Sequence, residues 1–267
     1  MSLPFYSPTE LYRRLHIGSQ VDIEFYLRAA QDAENILELG CGWGRISVPL
    51  AQAGYQVTAV DIEPDFLDEL AQSSVALSES LIVHQQDVRQ LALPLVGGQV
   101  QTFDRILLPY NMLYALGGAR GVLQCFQQAA RHLSVDGELW FDVYDMDEFH
   151  DQYDPADDVD DDEAVASWSH GNEQVTVFEH TQVLHEKKRL HVTYTAQLDS
   201  DQCAVGQLKM CHDYLLSEEM EELLDQAGFE LVGRYELPEQ PDDFESSNAV
   251  FYCARLSTPE EASRSGS

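Results

Sequence analysis

The stretch Ile36-Leu37-Glu38-Leu39-Gly40-Cys41-Gly42-Trp43-Gly44 decides how this chain is read. Ile36–Leu39 is a short apolar strand that runs directly into three glycines at alternate positions. Glycine at such a point permits a tight turn and lets a ligand approach the backbone closely. A helix is predicted next, with Ile46, Leu50 and Ala53 on one face and Gly54 as its stop. Pro49 inside it predicts a bend. Amides at a helix N-terminus face whatever lies above the carboxyl end of the preceding strand. Where that ligand is a dinucleotide pyrophosphate, the pattern is GxGxxG. Here it is GxGxG, and Glu38 stands two residues before the first glycine. An acid repels a phosphate but attracts an ammonium group.

Working outward, Gln56–Val60 reads as a second strand that ends at Asp61. A carboxylate about twenty residues past such a glycine loop can take both hydroxyls of a ribose. Pro64 suits the first turn of a helix carrying Phe66, Leu67, Leu70 and Ala71. Leu81–His84 is a third strand, and Asp87 beyond it is placed to accept a hydrogen bond from an adenine amine. A strand at Phe103–Leu108, a helix at Val122–Leu133 and a strand at Glu138–Val143 continue the alternation. Strands alternating with helices imply a parallel sheet covered on both faces. One glycine loop and three acids suit a nucleoside bearing an amino acid better than a dinucleotide.

The flanks differ from this centre. Residues 8–31 show helical spacing at Leu11, Leu15, Val21, Phe25 and Leu27, so 1–34 is expected to be a helical segment. Asp145 to Glu163 is rich in carboxylates, with Pro155 inside it, and reads as an exposed loop. Residues 164–212 alternate at period two (Val175, Val177, Leu190, Val192, Tyr194, Leu208, Met210), the mark of an antiparallel β-insert. The span 146–212 is therefore expected to be a substrate cap or a dimer platform. Helical spacing returns at Met220, Leu223, Leu224 and Ala227, with Ser217 as N-cap and Gly228 as stop. Strands at Phe229–Glu236 and Ala249–Leu256 complete the main domain, 35–145 plus 213–256. Residues 257–267 read as a disordered tail.

Composition sets the outer bounds. The 267 residues are 44% apolar and carry 47 acidic against 15 basic residues, a formal charge of −32. Such a field repels nucleic acid and anionic membranes, so neither is expected as a partner. An acidic surface is read first as a solubility or salt adaptation, or as lineage composition, and second as a lure for a cationic substrate. No run of apolar residues is long enough for a membrane span. Met1 to Phe5 has no signal-peptide character, and Cys41, Cys125, Cys203, Cys211 and Cys253 form no CxxC pair. A cytoplasmic protein with reduced thiols is expected. Asp157–Glu163 lacks the spaced ligands and turn glycine of a calcium loop. The histidines show neither HxxxH nor HExxH spacing, so no metal is expected.

With these residues in place, the sequence resembles the class I S-adenosylmethionine-dependent methyltransferases. ILELGCGWGRISVPLAQAGYQVTAVD (36–61) looks like their first two motifs. LSVDGELWFDV (133–143) looks like the passage from a helix into the fifth strand, and LSEEMEELLDQAGFELVGRY (216–235) like the closing helix and strand. The resemblance implies an α/β fold: a Rossmann-like, seven-stranded, mostly parallel sheet with helices on both faces, here with a small antiparallel β-insert. It implies S-adenosyl-L-methionine as cofactor, held at Gly40, Cys41, Gly42, Asp61, Ile62, Asp87 and Val88. Glu38 would lie near the methionine end, and Leu108 and Pro109 near the transferred methyl. YSPTELYRRLHIGSQVDIEFY (6–26) resembles the lid of small-molecule members, which makes Tyr6, Tyr12 and Arg13 candidates for the cofactor carboxylate. Trp43 departs from the small or hydroxyl residue usual at its position.

The reaction implied is in-line transfer of a methyl group to a small-molecule acceptor aligned at near-attack distance. A base is needed only for a protonated or weakly nucleophilic acceptor. Tyr110, Asn111, Asp142 and Tyr144 are the candidate acceptor contacts, with Asp145 behind them. Tyr114, His185 and His212 are the candidates to orient or deprotonate the nucleophile. Each also has a plainer reading as a packing or strand residue. Whether nitrogen, oxygen or carbon receives the methyl stays open, as does a homodimer through the β-insert. Two other classes remain: cofactor binding with non-methyl chemistry, and a non-catalytic sensor or partner-binding module.

Overall fold

The computed structural model describes residues 5–155, 162–236 and 249–257. The chain divides into two compact units, residues 18–145 with 215–267 and residues 1–17 with 146–214. The N-terminal segment is split between them, since helices α1 (Pro8–Leu15) and α2 (Gln20–Ala29) fall in different units. The single helical run expected over 8–31 is thus two helices. Each begins on a serine cap: Ser7 accepts from the Glu10 amide and Ser19 from the Asp22 amide. Gly18, at φ +64°, turns the chain between them in a conformation that suits glycine.

The larger unit is built on β1 (Asn35–Leu39), β2 (Gln56–Asp61), β3 (Leu81–Gln85), β4 (Phe103–Leu108) and β5 (Leu133–Tyr144). Helices α3 (Ser47–Gln52), α4 (Pro64–Ser73) and α5 (Ala119–His132) connect them. β1, β2 and β4 are apolar runs buried along most of their length, as strands covered on both faces must be. Pro49 is the third residue of α3, in the turn whose N–H groups have no acceptor within the helix. α6 (Asp147–Gln152) occupies part of the stretch expected to be loop, and the acidic run at 156–161 lies outside the described residues.

The smaller unit carries α1, α6 and a four-stranded antiparallel sheet. Its strands are β6 (Glu163–His170), β7 (Glu173–Leu184), β8 (Arg189–Leu198) and β9 (Ala204–Asp213), in that order. Tyr6 and Leu11 pack with Val175, Val177, Val192, Tyr194, Ala196 and Leu198 in its core. Back in the larger unit, α7 (Ser217–Gln226) leads into β10 (Phe229–Glu236) and β11 (Ala249–Leu256). Ser217 is the first helical residue, not the cap; Glu219 instead reaches back to the Leu216 amide at 3.0 Å. Residues 258–267 lie outside the described residues.

The seven strands of the larger sheet run in the order β10-β11-β5-β4-β1-β2-β3. β1 to β5 pair in parallel, while β11 pairs antiparallel with both β5 and β10. Chain order reverses between β1 and β4, the switch point where open α/β sheets bind ligands at the strands' carboxyl ends. The glycine loop lies there.

Candidate active site

The glycine loop is fastened to the end of β2. The Gly40 and Cys41 amides donate to the Val60 carbonyl at 2.8 and 3.0 Å. Gly40, Gly42 and Gly44 have φ of +79°, +52° and +88°, values that alternate glycine makes accessible. A Cβ at Gly40 would fall on the Met112 side chain, whereas the space beside Gly42 is open. Asp61 closes the loop by accepting from the Gly42 amide at 2.7 Å and the Glu63 amide at 2.9 Å. Beside it Ile62 is 60% exposed, an apolar surface held next to a carboxylate.

Below the loop, Glu38 is 1% exposed and accepts a hydrogen bond from the Ser47 hydroxyl. Burial pushes its pKa up to about 8, although Ser47 and the nearby Arg45 favour the charged form. Ligand-free at neutral pH, this carboxyl keeps its proton. An arriving cation would make the charged form the favoured one.

At the end of β4 the chain makes an unusual turn. Tyr110 and Asn111 both lie in the left-handed region, at φ +65° and +55°, costly for two consecutive non-glycine residues. Asp142, on adjacent β5, holds them there, accepting from the Tyr110 amide at 2.8 Å and the Asn111 amide at 3.2 Å. The Tyr26 hydroxyl donates to the same carboxylate. Burial raises Asp142 to about 6 against these hydrogen bonds. Arg45, straight after Gly44, pairs with Asp22 at 2.6 Å and lies 4.8 Å from the centroid of the Tyr110 ring.

Comparison with known proteins bears on this geometry. Residues 36–137, from β1 into β5, match the family model described as a methyltransferase domain. YqeM of Bacillus subtilis, named as a methyltransferase with no acceptor specified, is 34% identical over 109 residues, 41% of this chain and 42% of that protein. Over these residues the chain is similar to methyltransferase domains. It aligns with less than half the length of the curated relatives it matches. Two solved structures share the fold over nearly the whole chain. CalS10 of Micromonospora echinaspora, an amino pentose methyltransferase with bound S-adenosylmethionine, has a TM-score of 0.65 at 17% identity, covering 96% of this chain and 100% of that one. The sugar N-methyltransferase KedS8 of Streptoalloteichus has 0.68 at 16%, covering 96% of each.

The structure gathers some of the sequence candidates at the glycine loop and gives others partners of their own. Glu38, Gly40, Cys41, Gly42, Asp61 and Ile62 come together at the loop, with Leu108 buried at the end of β4. Asp87 follows β3, but both its oxygens already face Arg89, which holds it below the usual carboxylate range by hydrogen bonding. Val88 is buried beside it. Asp142 clamps the turn, and the Asn111 side-chain carbonyl accepts from the Tyr144 backbone amide. Tyr114 is buried and donates its hydroxyl to the carbonyls of Tyr144 and Leu215. Of the four acceptor candidates, Tyr110 and Tyr144 are partly exposed, while Asn111 and Asp142 are buried. Asp145 pairs with Arg234.

The lid and base candidates belong to the smaller unit. Tyr6 is a core residue there, its hydroxyl held by His170 at 3.0 Å and Trp168 at 2.9 Å. The Tyr12 ring lies 4.7 Å from that of His16, and Arg13 is exposed on the same helix. His185 stacks on His150 and Tyr153, with Nε2 on the His150 carbonyl at 2.9 Å. Burial, with His16 nearby, lowers His212 to about 4, too weak a base for neutral pH. Arg45, Ser47, Tyr26 and Met112 were not singled out from sequence. Only Ser47, nine residues past Glu38, and Arg45, beside the last glycine, carried a positional signal.

Proposed function

We propose that this chain transfers a methyl group from S-adenosyl-L-methionine to a small-molecule acceptor, at nitrogen or oxygen. The observation that carries it is Glu38, a buried carboxyl set under a glycine loop, whose charged form burial disfavours. A phosphate ligand would leave that acid without a role; an amino-acid ammonium gives it one. The loop residues fit the cofactor: Gly42 leaves open space, Asp61 offers oxygens for ribose hydroxyls, and Ile62 offers an apolar face for a base. When bound, the cofactor supplies an electrophilic methyl on a sulfonium. The chain's own residues hold, orient and exclude water; Tyr110, fixed by Asp142, walls the acceptor side.

An amine is the favoured acceptor within this reading. The amino pentose and sugar N-methyltransferases share the fold over nearly the whole chain, and the chain's charge of −32 favours a cation. No described helix is long and apolar enough to cross a membrane, and all five cysteines are unpaired, which supports a cytoplasmic, reducing setting. A homodimer through the four-stranded sheet belongs to the same proposal. The test is formation of S-adenosylhomocysteine with panels of small amines and alcohols. Turnover with amino sugars is expected. Tight binding of the cofactor product with no turnover on any acceptor would overturn methyl transfer and leave the sensor reading.

A further inference from the structure

We infer that Arg45 is a positioning residue of the transfer site, acting through Tyr110 and the Gly18–Asp22 segment and not on the reacting atoms. The inference rests on the methyl-transfer reading. Arg45 joins three pieces of chain distant in sequence. Its guanidinium bonds Asp22, near the start of α2, at 2.6 Å. It lies 4.8 Å from the centroid of the Tyr110 ring, beyond β4. It also occupies the place where any Cβ on Gly18 would sit, so Gly18 must be glycine for the guanidinium to remain there. All three partners stand around the glycine loop from which Arg45 itself projects.

The charge of Arg45 acts on the same site. Glu38 from β1, Asp22 from α2 and Asp142 from β5 face it, along with the Tyr26 and Tyr110 hydroxyls. Arg45 favours ionisation of both Glu38 and Asp142. Its planar fork can bond Asp22 while lying over an aromatic ring, which a lysine ammonium cannot reproduce. Removing it therefore does two separable things. The Tyr110 ring and the 18–22 segment lose their tether, and the two buried carboxyls keep their protons to higher pH.

The test uses the full chain, with an amine on which the wild type turns over. Arg45→Met should lower kcat at least tenfold while S-adenosylhomocysteine affinity at pH 8.5 falls less than threefold. The acid limb of its kcat/KM profile should move up by about one pH unit, the scale of losing one nearby opposite charge. Arg45→Lys should return the limb to its place without restoring kcat. Should Arg45→Met fail to fold, Arg45→Lys and Gly18→Ala, which pushes the guanidinium aside, carry the same kcat test. Wild-type kcat in these variants, or an unmoved limb in Arg45→Met, would overturn the assignment. A loss wholly in cofactor affinity would make Arg45 a cofactor contact and overturn it too. If the wild type binds the cofactor product but turns nothing over, the methyl-transfer reading falls by itself. The pH at which Arg45→Met loses half its binding then decides the electrostatic role, with no shift counting against it.

Discussion

Glu138 and Glu38 are buried glutamates in one sheet, yet their surroundings move their acidities in opposite directions. Glu138 lies toward the amino-terminal end of the parallel strands. Desolvation pushes it up, but hydrogen bonds from Arg255 and Trp140 and the charge of Arg105 hold it below the ordinary range. Glu38 lies at the carboxyl end, where Ser47 and Arg45 do not offset burial, and its value rises to about 8. Asp142 behaves likewise at about 6. One end of the sheet neutralises its charges to hold the fold, while the other keeps carboxyls short of positive charge. Buried groups left so are destabilising unless something else uses them.

The largest consequence concerns pH. A group with pKa about 8 folded and about 4.5 unfolded holds more protons in the native state. The ligand-free domain therefore loses stability as pH rises through that window, by up to about 4–5 kcal/mol from this group. Glu38→Gln should remove that part of the slope and melt higher than wild type at pH 8. In calorimetry the same variant should bind S-adenosylhomocysteine 10- to 100-fold more weakly, the scale of a charge-assisted hydrogen bond. A variant that melts lower at pH 8 with unchanged affinity would erase the contrast.

Glu138→Gln should do the reverse. Breaking its pairing with half-buried Arg105 is expected to cost about 2–3 kcal/mol in denaturant unfolding, with cofactor affinity unchanged. A fall in affinity matching the fall in stability would show that both ends serve one role. Asp61→Ala is expected to weaken S-adenosylhomocysteine by tenfold or more, losing bonds worth roughly 1.5–3 kcal/mol. Its thermal shift at fixed ligand should shrink accordingly; equal affinity would remove Asp61 from the ribose. The smallest effect is global. Salt should screen the self-repulsion of the −32 surface and raise the melting temperature by a few degrees, about what a 1 kcal/mol change gives. A flat or falling response would tell against a solubility or salt role for the acidic surface.

Much of the larger unit was legible because its signals are local. Phe103–Leu108, Phe229–Glu236 and Ala249–Leu256 form strands with the bounds that apolar runs and turn residues mark. The glycine loop declared itself through residues within a few positions of one another. What the sequence did not show depended on contacts distant along it. Asp142 looked like an acceptor contact because it ends a strand; only the Tyr110–Asn111 turn, 31 and 32 residues away, shows that its oxygens are occupied. Tyr114 looked available until the carbonyls of Tyr144 and Leu215 took its hydroxyl. Tyr6 was assigned to a lid because its neighbours resemble one, while its partners His170 and Trp168 lie more than 160 residues on. Periodicity could not separate α1 from α2, since both present apolar residues at helical spacing.

On the proposed reading, Glu38 exchanges its proton for the ligand's ammonium group. Calorimetric titration of the wild type with S-adenosylhomocysteine at pH 7, in buffers of different ionisation enthalpy, counts protons released on binding. A carboxyl at about 8 that ionises on binding should release close to one proton per ligand, and Glu38→Gln should abolish the release. Binding of the wild type with no proton release, or with uptake, would contradict the central claim.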